Sequence, residues 1–335
     1  MENEVDAVIL WVDGSDENWQ KAYAKYASQK IEEIRYEDIG TLKYVLRSIE
    51  KFTPWIRNVY LITANQVPSW LETDHPKLIQ VSHSDIFKDQ SQLPSFNSSA
   101  IELNLHRIEG LSEQFLLFND DTIIQKPLNK SYFFTGDYPN DMYLVRNLFH
   151  DNKYSHSLHA IMQVINAEIK SSKSFNQQLR YMRNLKYGLR FVVSNLILTK
   201  LSQNEIPLFL QLHSVQAHLK SNFIEAEAAY PDIFQNSRSS RFRSESDINN
   251  YLAQFWGLIK GKFHPKIQFD KVYISILGIH TLKKQLSALK DRDFSLLCFG
   301  ENPKFDPSDY PKCKQLIYEF LDKKLSNHCS YERKS

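Results

Sequence analysis

Cysteine is scarce in this chain. It has 335 residues and three cysteines, Cys298, Cys313 and Cys329, all close to the C-terminal end. Their spacing matches no zinc pattern, and an odd count argues against a disulfide framework. A reducing compartment is the simpler reading. Long apolar runs are missing too, since none approaches the roughly 20 residues of a membrane span. The opening MENEVDAVIL has no basic n-region and no long apolar core, so no signal peptide is expected. These absences predict a cytoplasmic protein, with peripheral association at the inner face of the cell membrane left open. The net charge is only +2, too small for the basic footprint of a nucleic-acid binder. The dinucleotide fingerprint G-x-G-x-x-G is missing, as are internal repeats and low-complexity linkers. What remains is an ordinary globular composition, 42% hydrophobic and 24% charged. It is long enough for one large or two ordinary domains. Aromatics make up 13%. They can line sugar or base sites, although most such rings sit in cores.

The most informative stretch is Pro94–Asp121. Ser99 and Glu102 have the S-x-x-E form of a capping box, which predicts a helix start there. Ile101, Leu105 and Ile108 make an apolar stripe, with Glu102, His106 and Glu109 as a polar stripe beside it. Gly110 is a natural stop. The run Phe115–Phe118 has no polar alternation and suits a strand covered on both faces. Asn119, Asp120 and Asp121 follow at its end, where α/β sheets bind ligands. Two carboxylates there would hold a hard divalent cation, Mg²⁺ or Mn²⁺, which in turn would hold phosphate oxygens.

Along the chain, Asp6–Val12 reads as a strand ended by Asp13, Gly14, Ser15 and Asp16. A helix follows with Trp19, Tyr23 and Tyr26 on one side. Gly40 opens a second helix with Leu42, Val45, Leu46 and Ile49 inward. Val59–Thr63 is the next strand, with a polar turn at Ala64–Gln66, and Leu78–Val81 a shorter one. This alternation is the α/β signature. From about 152 to 203 the pattern turns helical, polar and basic, as in an inserted helical subdomain or lid. Leu208–Leu212 reads as a strand ending at His213, and Ser221–Tyr230 as a helix. Asn236–Arg243 reads as a Ser/Arg-rich loop, and Ser244 with Asp247 as a second capping box for a helix bearing Ile248, Tyr251, Leu252, Phe255 and Trp256. Two further helices fall near Leu282–Ala288 and Ser308–Leu325. The organisation expected is a nucleotide-sugar-binding core over 1–150, a helical insertion over 151–205 and a completing part over 206–335.

Each candidate site residue has a plainer alternative. Asp120 and Asp121 could cap the loop after their strand, yet adjacent carboxylates repel unless a cation or donor offsets them. Glu102 could reach the same site or act as a base, or serve only as a cap. His213, at a strand end, could take a proton from an attacking hydroxyl, or merely pack. Arg243, just before a helix start, could clamp an anion. For Arg238 and Arg241 a solvated loop is the better reading, and for Asp247 a helix cap. Trp11 and Trp70 could stack a base or sugar, with core packing favoured for at least one.

The residues resemble the Stealth family, which includes bacterial capsular-polysaccharide phosphotransferases and the lysosomal-enzyme GlcNAc-1-phosphotransferase. The first family block is similar to Asp6–Asp16. The second is similar to the stretch from Arg35–Gly40 through Arg47–Trp55, Asn65–Trp70, His83–Phe87 and Asn97 to Asp121. The third is similar to His213 through Arg243 to Asp247, and a weaker fourth covers Cys298–Glu332. The resemblance implies transfer of a hexose- or N-acetylhexosamine-1-phosphate from a UDP-sugar to an acceptor hydroxyl, with UMP leaving and a phosphodiester in a capsular or other cell-surface polysaccharide. The acceptor would be a lipid-linked oligosaccharide or polysaccharide. The family's catalytic and substrate-contacting positions fall on Glu102, Asp121, His213 and Arg243. Mg²⁺ or Mn²⁺ would sit on Asp121 with help from Asp120 or Glu102. Trp11, Asp13, Gly14, Thr63 and Asn65 would cradle the uridine. Two positions depart from the pattern: the family's His-x-Pro is His213-Ser-Val here, and Cys-x-Asn-Asp becomes Cys298, Phe299, Gly300 and Glu301. The alternatives are a glycosyltransferase releasing UDP and a non-catalytic sugar-nucleotide-binding protein. The fold class expected is α/β: a Rossmann-like (GT-A-like), mostly parallel sheet with flanking helices and a helical insertion.

Overall fold

The computed structural model describes residues 3–27, 36, 39–147, 153–302, 305 and 307–333. Four strands form a parallel block: β1 (Val5–Leu10), β2 (Val59–Thr63), β3 (Leu78–Ser82) and β4 (Gln114–Asn119). A fifth, β6 (Gln216–Leu219), joins antiparallel at the far edge, giving the order β3-β2-β1-β4-β6. Between β4 and β6 in sequence comes β5 (Thr122–Ile124), which belongs to a second sheet with β7 (Lys271–Ile276) and β8 (Leu296–Glu301). The fold is thus α/β with a mostly parallel central sheet and flanking helices.

The apolar runs explain the layering. Strands covered on both faces need no polar alternation, and β2 and the first five residues of both β1 and β4 are buried throughout. Ala7, Ile9, Leu61, Leu116 and Phe118 face one core, shared with α2 (Leu42–Phe52), α10 (Ile279–Ala288), α11 (Tyr310–Leu325) and the second sheet. Val8, Tyr60, Ile62, Phe115 and Leu117 face the other, shared with Ile101, Leu105, Ile108 and Phe223 of α7 (Lys220–Ala229). α1 (Glu17–Tyr26) is started by Asp16, whose carboxylate accepts from the Trp19 N–H at 2.7 Å.

A further core gathers Tyr143, Leu144, Ile161, Ile165, Met182, Phe209, Phe255 and Trp256. Its helices are α4 (Lys153–Ser171), α5 (Phe175–Met182), α6 (Leu189–Leu201) and α9 (Tyr251–Lys260). The C-terminal end is locked to α2 by Arg47. Its guanidinium grips both Glu332 carboxylate oxygens at 2.7 Å and donates to the Leu325 carbonyl at 2.8 Å.

Several local expectations change. The helix at Pro94–Asp121 is α3 (Ser98–Glu102) followed by a separate 3₁₀ turn, Leu105–Arg107, and its cap is Asn97 rather than Ser99. Leu208–Leu212 is not a strand. It makes one bridge, Val145 to Phe209, and its apolar side chains fill the third core. The edge strand begins three residues after His213. Asn236–Ser239 is the end of a helix, α8 (Pro231–Ser239), not a loop. Asp247 accepts from the Ser244 N–H at 2.7 Å in a turn, and the helix begins only at Tyr251.

Candidate active site

The strand order reverses between β1 and β4. The chain leads outward to opposite sides of that pair, the switch point beyond whose carboxyl ends α/β sheets form a ligand crevice. Both acidic candidates lie on its rim. The chain leaves β4 at Asn119, turns through Asp120 and Asp121, and enters β5 of the second sheet at Thr122. Asp121 therefore sits where two sheets meet. β8 runs antiparallel to β5 with Cys298 opposite Thr122, and the Phe299 N–H donates to the Asp121 carbonyl at 3.1 Å.

That junction also orients the Asp121 carboxylate. Oδ1 accepts from Thr122 Oγ1 at 3.1 Å and from Cys298 Sγ at 3.5 Å. Burial pushes the Asp121 carboxyl above the usual range, and His213 pulls it part of the way back. Burial, reinforced by Asp121, pushes the Cys298 thiol well above its ordinary value. Ligand atoms of Asp121, His213 and Cys298 all lie within 4.8 Å of one another. A Cys/His/Asp set resembles a zinc site. Zinc there would have to displace the Cys298 thiol proton, whereas a hard cation would take carboxylate oxygen from Asp121 and leave the thiol protonated.

His213 is exposed and reaches this point through topology. Because β6 runs antiparallel to β4, Gln216 pairs with Leu117, and the residues just before β6 lie over the carboxyl end of β4. His213 Nε2 is 3.4 Å from Asn119 Nδ2. The Tyr273 ring stands edge-on to the imidazole at a centroid separation of 5.6 Å. Tyr273 can lie there because residue 300 is glycine: a Cβ at Gly300 would fall 2.1 Å from the Tyr273 hydroxyl.

Glu102 and Arg243 form a second polar cluster. Burial pushes the Glu102 carboxyl up to about 7, with Arg243 and the Asn250 N–H opposing the rise. The Asn250 N–H donates to Glu102 Oε2 at 3.4 Å, and Asn250 Nδ2 donates to Gln216 Oε1 at 2.8 Å. Gln216 follows His213 by three residues in the chain. Arg243 does not precede a helix start. It donates to Ser98 Oγ at 2.5 Å, at the beginning of α3. The buried Asn97 amide ties the segment there through Ser240 O, Phe242 O and Asp247 Oδ2, at 3.0, 3.4 and 2.7 Å. Arg238 is not solvated, and Arg241 is only partly so. Arg238 is 3% exposed and paired with Glu227, while Arg241 donates to Pro94 O at 3.0 Å and Ser91 O at 2.7 Å.

The remaining candidates line the other side of the crevice. The Gln66 amide pins the loop after β2 to the loop after β1: Nε2 donates to Asp13 O at 2.7 Å, and Oε1 accepts from Asp13 N at 3.1 Å. Thr63 Oγ1 accepts from the Gln66 N–H at 3.2 Å, and Asn65 is exposed with φ of 62°. Asp13 Oδ1 accepts from Ser15 N and Oγ at 2.8 and 2.6 Å. Gly14 donates to the Tyr36 carbonyl at 2.9 Å, and a Cβ would sit 2.3 Å from that oxygen. Trp11 is 7% exposed and packs in the first core, so it does not offer a free ring face. Trp19, Tyr23, Phe96 and Phe242 cluster beside this rim and link it to the segment bearing Arg243, with Phe96 stacked on Phe242 at 5.4 Å.

Spacing along the sequence did not reveal Tyr273, Cys298, Asn250 or Gln216. All four reach the site through strand pairing or loop packing. Glu301 keeps its backbone place in β8, but its side chain lies outside the described residues, as do Arg35, Glu37 and Asp38 of the second family block.

Residues 3–30 match Stealth protein CR1, conserved region 1, and residues 35–142 match Stealth protein CR2, conserved region 2. These take in Asp13, Glu102, Asp120 and Asp121. Capsular polysaccharide phosphotransferase WcwK of Streptococcus pneumoniae is 33% identical, covering 99% of this chain and 98% of its own. Exopolysaccharide phosphotransferase cps2G of Lactiplantibacillus plantarum is 30% identical over 89% of this chain and 87% of its own. Receptor polysaccharide phosphotransferase WefC of Streptococcus oralis is 34% identical over 79% and 82%. A solved structure of the galactosyltransferase LgtC aligns over 97% of this chain at 10% identity with a TM-score of 0.43, too distant to bear on the argument. The two matched regions and the near full-length relatives show that this chain belongs to the Stealth family.

Proposed function

We propose that the chain transfers a hexose- or N-acetylhexosamine-1-phosphate from a UDP-sugar to a sugar hydroxyl of a lipid-linked oligosaccharide or polysaccharide. The observation that carries this reading is the convergence of Asp121 and His213 at the sheet's switch point, in a chain similar end to end to polysaccharide phosphotransferases. The acceptor oxygen attacks the β-phosphorus and a new P–O bond forms. The bond from that phosphorus to the bridging oxygen breaks, and UMP leaves. The acceptor's proton goes to His213, whose exposed imidazole can meet an incoming hydroxyl. Arg243, beside Glu102, offsets charge building on the transferring phosphoryl, the main task in such transfers. The loops at Asp13–Gly14 and Thr63–Asn65 hold the nucleoside.

The carboxylate of Asp121, with Asp120 next to it, would hold Mg²⁺ or Mn²⁺, which when bound neutralises pyrophosphate charge. Cys298 and Thr122 keep that carboxylate aimed. Three buried thiols fit a reducing cytoplasm.

The test is to incubate the protein with a panel of UDP-sugars, divalent metal and acceptor, then identify the nucleotide released. UMP together with a phosphodiester-linked product is the expected result. UDP would mean glycosyl transfer and would sink the proposal. Donor binding without turnover would mean a binding protein.

A further inference from the structure

Helix α6 is apolar on its outer side as well as its inner one. Its buried side carries Val192, Asn195 and Thr199, 7%, 1% and 2% exposed. Asn195 is committed to backbone, accepting from Val145 N at 2.8 Å and donating to Tyr143 O at 2.9 Å. The outer side carries Leu189, Val193, Ile197 and Leu201, and the preceding turn adds Leu185. These five are 46–76% exposed and repeat every fourth residue. Amphipathic surface helices normally turn the apolar stripe inward. Single exposed apolar residues are ordinary, whereas a continuous stripe marks an interaction surface. Phe269, 43% exposed and 5.7 Å from the Phe191 ring, adds to it.

The charge around the stripe is one-sided. Between residues 169 and 204 there are seven Lys and Arg and no Asp or Glu, against a net +2 for the whole chain. Arg183, Lys186, Arg190 and Lys200 are exposed and lie within two residues of a stripe residue in sequence. Two copies meeting through this face would bring their cations together, which opposes self-association. An anionic bilayer supplies what the face lacks: apolar depth for the stripe and negative headgroups for its basic rim.

We propose that α6 is an in-plane membrane-docking helix that seats the enzyme on an anionic lipid surface. No helix among the described residues is long and apolar enough to cross a membrane, and lying on the surface needs no such helix. The inner side of α6 and of the turn before it shares a core with the residues leading into His213, since Tyr187, Phe191 and Leu196 belong to the cluster that holds Leu208, Phe209 and Leu212. Docking would therefore hold the site close to lipid-linked acceptors. That consequence rests on the proposed function, but docking itself is measured without turnover.

The full chain should co-sediment with vesicles of equal phosphatidylglycerol and phosphatidylcholine, and far less with phosphatidylcholine alone. Leu189→Gln with Ile197→Gln should weaken partition by about tenfold or more. Lys186→Gln with Arg190→Gln should weaken it about thirtyfold at low salt. All these positions are on the surface, so melting temperature and turnover on a water-soluble acceptor should stay unchanged. Wild-type protein that ignores anionic vesicles overturns the proposal. So does binding that survives both double substitutions. A wild-type dimer in sedimentation velocity, dissolved by L189Q/I197Q and with no vesicle binding, would show that a second copy covers the face, and would overturn it too.

Discussion

Replacing Glu102 by Gln should make the fold more stable above neutral pH while slowing turnover. The reason lies in the environment of the carboxylate. Burial moves its midpoint from 4.5 to about 7, with Arg243 and the Asn250 N–H opposing. Holding the ionised form in such a place costs about 3 kcal/mol, and about 2 kcal/mol once its remaining contact with water is allowed for. The sign follows from linkage. Between 4.5 and 7 the folded protein keeps a proton that the unfolded chain has released, so wild-type stability falls as pH rises through that window and levels off above it. Gln has no such proton and still offers an oxygen to the Asn250 N–H. The E102Q variant should therefore match wild type near pH 5 and exceed it by about 2 kcal/mol near pH 8, a rise of a few degrees in melting temperature. Thermal melts at both pH values, with turnover on the same preparations, read it out. A cap or packing role predicts the opposite: loss of stability at both pH values, with activity following stability. An E102Q variant that melts lower than wild type at pH 8 would refute the reasoning.

Other substitutions separate the remaining parts of the site. His213→Ala should lower turnover by roughly 10²–10⁴ with little change in melting temperature, since the ring is exposed; near-normal turnover would remove it as the base. Chelation should stop turnover, and added Mg²⁺ or Mn²⁺ should restore it. In Asp121→Asn, metal-induced thermal stabilisation in the presence of donor should also disappear, which a thermal-shift titration checks. Arg47→Met tests the fold rather than the site. It leaves the Glu332 carboxylate buried at 6% side-chain exposure without its partner, at a cost of about 3–5 kcal/mol. Burial alone would raise the Glu332 carboxyl, but Arg47 outweighs it and holds it below 4.5. The gap between wild type and R47M should therefore narrow as pH falls below that value, as acid unfolding curves would show.

The sheet was legible because its signal is local. Val59–Thr63 and Phe115–Phe118 are apolar without alternation, which only a doubly covered strand tolerates. The carboxylates placed at a strand end by that pattern do lie at one. The errors came where one apolar pattern serves two kinds of packing. Leu208–Leu212 has a strand's composition, but its apolar side chains are buried among helices. The real edge strand, Gln216–Leu219, is short and partly polar. His213 was thus placed at the end of a strand when it stands just before one. Reading Arg238 as solvated failed for a similar reason: its partner Glu227 lies eleven residues away, on a helix that folds back against it.

The part of the site that spacing could not show depends on the meeting of two sheets. Asp121 is the last residue before β5, and β5 pairs with a strand that begins more than 170 residues later. That pairing sets Cys298 against the carboxylate. Two residues further, Gly300 departs from the family's Asn at the same place, and the departure has a physical counterpart. Any side chain there would meet the Tyr273 hydroxyl, so the glycine is what lets that ring lie across β8 and reach His213. No proline stiffens the backbone directly after His213, so the aromatic contact from β7 is what restrains the imidazole from the side of the second sheet.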